Sequence, residues 1–105
     1  MVVIVFRSRL RPEAGDDYAQ MAQEMYSTAK EIPGFVDFKS YKADDGERVS
    51  IVWWKDHETL AAWRNHPRHT HAQMMGRKEW YQFYKIEIAD VVRTNAFEHK
   101  AAGAS

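Results

Sequence analysis

Between Trp63 and Tyr81 the chain concentrates side chains that could bind a ligand and move a proton. His66, His69 and His71 fall within six residues, His57 stands upstream, and Gln73, Arg77, Trp80 and Tyr81 follow. Histidine titrates near neutrality, so His66 or His71 is a candidate general base. Trp63, one turn before the break at Pro67, offers a wall for a ligand. Gln73 and Tyr81 offer hydrogen bonds, and Arg77 offers a cation for an oxyanion. Trp63 is a core candidate as well, and the two roles are compatible because ligand pockets are mostly apolar. Arg77, Trp80 and Tyr81 equally suit an interfacial segment. Three histidines this close raise a metal site, yet Pro67 splits the set and no Asp, Glu or Cys stands among them. No metal is therefore expected.

These residues need a scaffold, and the local patterns supply one. Val2 to Phe6 is β-branched and continuous, which predicts a strand to about Leu10. Pro12 and Gly15 break it, since Pro12 cannot donate to a ladder. Asp16 or Asp17 is placed to cap a helix, with Gln20 as capping-box partner. Tyr18, Met21, Ala22, Met25, Ala29 and Ile32 form one apolar stripe that ends at Pro33-Gly34. Phe35 to Lys42 reads as a second strand, Asp45-Gly46 as a hairpin turn, and Val49 to Trp54 as the return strand. Asp56 caps a second helix carrying Leu60 and Trp63. His66 precedes a proline and so avoids the helical region, which leaves a shorter helical piece from Arg68 to about Gly76. Phe83 to Arg93 is the last strand. The order β-α-β-β-α-β predicts an α+β, ferredoxin-like fold with an antiparallel sheet over residues 1–97. The small, polar stretch from Glu98 to Ser105 is expected to be a disordered tail.

A chain of 105 residues fits one domain. Its 15 basic and 15 acidic residues cancel and are interspersed, so neither a nucleic-acid stripe nor a polybasic membrane anchor is present. There is no cysteine, which removes disulfide and thiolate chemistry. The apolar run from Met1 to Phe6 is far shorter than a signal-peptide core and meets Arg7 and Arg9 at once. No stretch approaches the length of a membrane span, and the cytoplasm is the expected compartment.

The strands predict a partner. Two helices cover one face of a four-stranded sheet, and a wet second face should alternate cleanly between apolar and polar. Here Val2, Ile4 and Phe6 occupy one side while Val3 and Val5 occupy the other. Ile51 and Trp53 likewise oppose Val52 and Trp54, and Ile86 and Ile88 oppose Phe83, Ala89 and Val91. The second face is too apolar for water, so a homodimer with apposed sheet faces is expected. Tyr41, Trp53 and Trp54 are assigned to the core or to that interface.

Three stretches resemble the antibiotic biosynthesis monooxygenase family: Ile32 to Val36, Ser50 to Asp56, and Leu60 to Pro67. His69 to Gln73, Gly76-Arg77 and Trp80-Tyr81 continue the likeness on the same frame. The resemblance implies a dimeric α/β barrel with a cavity between the sheet and the helices of each subunit. It implies a cofactor-independent monooxygenase of a phenol, hydroquinone or anthrone-like compound, in which the electron-rich ring itself reduces dioxygen. The protein then positions and desolvates the substrate and hydrogen-bonds the developing anion. Haem-degrading relatives in the same superfamily use a histidine in the second-helix region and an asparagine on the first strand. Gln73 and Ser8 stand at those positions, and Gln is a poor iron ligand, so no haem is expected. A non-catalytic binder of small molecules, or a stress-response protein, is the competing class, because a fold does not fix a function.

Overall fold

The computed structural model describes residues 1–99. Strand β1 spans Val2–Leu10, helix α1 Asp16–Ala29, strand β2 Phe35–Lys42 and strand β3 Arg48–Trp54. Helix α2 covers His57–Arg64, helix α3 Pro67–Met75, a π-helical turn Gly76–Trp80 and strand β4 Tyr81–Asp90. The four strands form one antiparallel sheet in the order β2-β3-β1-β4. This is the ferredoxin-like α+β arrangement that the element order predicts. The expected tail falls largely beyond residue 99, outside the described residues.

Local chemistry sets the helix ends. At α2 the Asp56 carboxylate accepts from the Thr59 N–H at 2.8 Å, while the Thr59 hydroxyl closes back on the Asp56 N–H. His66 is extended (φ −65°, ψ 134°), as a residue before proline must be, and Pro67 then opens α3 at its first turn. Helix α1 differs from expectation. Its cap is Gly15, with no side-chain hydrogen bond, because the Asp17 carboxylate is engaged elsewhere: it accepts from the Trp80 indole N–H at 3.0 Å. The helix also stops at Ala29, and Ile32 packs on the core from the following turn. Strand β4 begins two residues earlier than expected and ends earlier, because the π-turn takes up Gly76–Trp80.

Pairing sorts the side chains onto two faces. Val2, Ile4, Val52 and Trp54 face the helices and meet Met25, Ala29, Leu60 and Trp63 in the core, while Phe6 on the same face packs on Tyr81 and Tyr84. Val3, Val5, Val49, Ile51 and Trp53 lie on the opposite face, where Val3 opposes Trp53 and Val5 opposes Ile51. All five remain partly accessible in the single chain.

The turn that delivers β2 requires glycine. Gly34 sits at φ +98° after Pro33, and the Phe35 N–H donates to the Ile32 carbonyl at 3.1 Å, a type II turn. A Cβ at Gly34 would also collide with the Thr59 side chain that closes the α2 capping box. Gly34→Ala is expected to lower unfolding stability by about 1–3 kcal/mol, from backbone strain and overpacking together. An unchanged urea midpoint would contradict this account.

Candidate functional site

Helices α1 and α3 stand over the helix-facing side of the sheet and leave a cavity of about 650 Å³ between the layers. At the surface an ion pair between Arg68 of α3 and Glu24 of α1 ties the two helices together. The cavity is of the size that encloses a small ligand.

Its floor follows from the strand register. Tyr84, Ser8, Arg48 and Lys42 form one cross-strand row; Ile86, Phe6, Ser50 and Ser40 form the next. Ile88, Ile4, Val52 and Phe38 form the third. The floor is thus polar and cationic at one end and aliphatic towards the other. A register irregularity between Arg9 and Leu10 opposite β4 leaves Gln82 unpaired, so Tyr81 and Tyr84 both turn towards the cavity although they are three apart.

Aromatic rings build the walls. Phe6 meets Tyr81 edge-on at 5.5 Å between centroids and stacks on Tyr84 at 5.7 Å. Tyr18 contacts Trp80 at 5.6 Å and Tyr81 at 5.8 Å. The Tyr81 ring also lies directly on Gly76, where a Cβ would collide with it. Burial, and next the neighbouring Tyr18, push the Tyr81 hydroxyl well above its ordinary range, so it stays a protonated donor.

The facing wall is Trp63 and His69. Their rings stack with centroids 4.3 Å apart, and Trp63 stacks in turn on Trp54 at 6.1 Å. The His69 Nδ1 lies 3.4 Å from the Arg64 carbonyl, which accepts from it in the Nδ1–H tautomer. Burial holds the His69 pKa below the ordinary histidine value, and the Arg64 carbonyl opposes that shift only in part. At neutral pH the imidazole is therefore uncharged and able to accept a proton.

Of the residues singled out by sequence, Trp63, Gln73 and Tyr81 line the cavity, and His66, His71 and Arg77 do not. His66 is the N-cap of α3: its Nδ1 accepts from the Arg68 N–H at 3.1 Å, which turns the ring back on its own helix. His71 is exposed, roughly 200° around α3 from His69. Arg77 is exposed too, but its guanidinium donates to the Tyr84 hydroxyl at 3.2 Å and so acts on the cavity at second hand. Of the clustered histidines it is His69, and not the expected His66 or His71, that lines the cavity. The signal for it was present: once the helical phase restarts at Pro67, His69, Ala72, Gln73 and Gly76 share one face. Tyr18, Arg48 and Tyr84 were also missed, because only the register brings them together. Among the described residues no group of three His, Cys, Asp or Glu side chains is placed to hold a metal ion. Nor, among them, is any helix long and apolar enough to cross a membrane.

An open antiparallel sheet roofed by helices over an aromatic-walled cavity defines a small ferredoxin-like domain with a cavity of ligand size. Residues 1–74 match the antibiotic biosynthesis monooxygenase family, and the chain belongs to it. It is 31% identical over 94 residues to the uncharacterized protein YqjZ of Bacillus subtilis, covering 90% of this chain and 82% of that one. It is 29% identical over 100 residues to the jasmonate monooxygenase ABM of Pyricularia oryzae, covering 90% of this chain but only 46% of that longer protein. Its fold is similar to that of SnoaB, a cofactor-independent oxygenase from Streptomyces nogalater, with a TM-score of 0.73 at 18% identity over 89% of this chain and 94% of SnoaB. The family places the chain among monooxygenase-like proteins.

Proposed function

We propose that this protein is a cofactor-independent monooxygenase of a small aromatic compound of the phenol, hydroquinone or anthrone type, working in the cytoplasm as a homodimer with apposed sheet faces. The observation that carries the reading is the uncharged His69 stacked on Trp63 at the wall of the cavity, with the protonated Tyr81 hydroxyl lining the same space. The family membership and the relatives' names support oxygen chemistry. The five apolar side chains on the free face of the sheet support the dimer.

In the proposed reaction His69 takes a proton from the substrate, raising the electron density of its ring. The anion transfers electrons to dioxygen, and one oxygen atom bonds to the carbon that becomes a carbonyl. The other leaves as water with the two hydrogens removed from the substrate. Gln73 and Tyr81 supply hydrogen-bond donors to the developing anion.

Oxygen uptake with anthrone as probe tests this. Wild-type protein is expected to consume one dioxygen per anthraquinone formed. His69→Gln keeps a polar side chain but loses the base, so turnover is expected to fall by about 10²-fold or more while binding is retained. Because burial lowers the His69 pKa, the rate should be flat through neutrality. It should fall only below the ordinary histidine range, as the imidazole becomes protonated. Ligand binding with no oxygen uptake would instead assign the protein to the non-catalytic binders.

A further inference from the structure

We infer that the natural ligand of this cavity is an anionic amphiphile: a ring body carrying a carboxylate that pairs with Arg48. The inference deepens the reading above, since it takes the same cavity as the substrate site. Three observations carry it. With His69 uncharged, the cations lining the cavity are Arg48 and Arg64, and no Asp or Glu lines it among the described residues. An uncompensated positive field in a concave, largely apolar space attracts an anion. Second, Lys42 and Arg48 stand directly opposite each other across the β2–β3 ladder. Like charges in such a pair repel, and an anion bound at Arg48 from the cavity side relieves that repulsion, although Lys42 itself does not line the cavity. Each of the ion pairs found among the described residues involves other cations, namely Arg7, Arg9, Arg11, His57, Arg68 and Lys85.

Third, Arg48 is held rather than free to wander. Its guanidinium lies over the Tyr18 ring at 5.7 Å, and the Ser40 and Ser50 hydroxyls pair at 3.1 Å in the next row. A guanidinium fork matches a carboxylate in two parallel hydrogen bonds. From Arg48 to Val52 the floor runs roughly 13 Å along β3, by the usual rise per strand residue. That span takes two or three fused rings, with the acid at the Arg48 end and the rest of the body over Phe6, Ile4 and Val52.

Calorimetric titration with 2-naphthoate and with its methyl ester, a pair differing only in the charge, reads this directly. Wild-type protein is expected to bind the acid about tenfold tighter than the ester, with the preference shrinking as salt rises. Arg48→Gln should bring the acid-to-ester ratio close to one and leave the ester's affinity unchanged. Arg48→Lys should restore part of the preference, and Lys55→Gln, at an exposed residue outside the cavity, should leave it intact. Arg48 is exposed on the rim, so these variants are expected to keep the wild-type melting temperature. An ester bound as tightly as the acid by wild-type protein, or a preference that survives Arg48→Gln or is lost in Lys55→Gln, overturns the assignment. Acid preference without oxygen uptake from anthrone leaves this inference standing and removes the oxygenase; uptake without acid preference does the reverse.

Discussion

Replacing Trp63 with alanine is expected to lower unfolding stability by about 3–5 kcal/mol, among the largest losses a single substitution in this chain can give. The indole is only 3% exposed and lies between the Trp54 ring on one side and the His69 imidazole on the other. Removing it strips both contacts and opens a void beside the buried Trp54, whose own indole N–H has no partner among the described residues. A domain of this size holds roughly 5–15 kcal/mol in total, so the variant should populate unfolded chains at modest temperature. Trp63 also lines the cavity, so the folded fraction should bind an aromatic probe more weakly, by about 1–3 kcal/mol. Trp63→Phe keeps a ring against Trp54 and should lose less of both. Urea denaturation, with and without naphthoate, separates the two effects. A loss under about 1 kcal/mol would mean that the tryptophan stack is not the keystone described here.

Trp63 also illustrates what a sequence conveys about a site. Its place on the buried face of α2 follows from helical spacing with Leu60, and the capping box at Asp56 fixes where that spacing starts. Local rules of this kind gave the strands, the hairpin and the break at Pro67. They failed where two elements compete for one side chain. Asp17 reads as a cap by local rules, yet a more distant donor, the Trp80 indole, takes it. His66 reads as a free imidazole beside an aromatic wall, yet the break that makes it conspicuous also turns it onto the Arg68 N–H. His69 looked like one member of a histidine cluster until the helical phase was counted from Pro67. Arg48 has no local signature whatever. Its position opposite Ser8 and Lys42, beside Tyr18, depends on pairings between residues up to forty positions apart. Packing inside one element is legible from spacing; a cavity floor built by register across four strands is not.

The register also separates two isoleucines that look alike in the sequence. Ile51 pairs with Val5 and Lys39 on the free face of the sheet, whereas Ile88 pairs with Ile4 and lines the cavity. Ile51→Asp should therefore act on association and spare the site. In the proposed dimer the carboxylate would be desolvated against the partner's apolar face, and the cross-strand Lys39 offsets that cost only in part, so association weakens by about tenfold or more. Sedimentation velocity at micromolar concentration is expected to give twice the chain mass for the wild type and the single-chain mass for Ile51→Asp. Far-UV circular dichroism should stay native in both, because Ile51 points away from the helices. Ile88→Asp is the internal control. At 41% exposure beside the cavity it should leave the mass at that of the dimer and weaken binding of an apolar ester at the aliphatic end of the floor. A wild type that sediments as a single chain, or an Ile51→Asp variant that remains dimeric, would show that the free face meets something other than its own copy. Ile51 and the four apolar side chains around it would then need another cover, since a patch of that character seldom faces water on a stable domain.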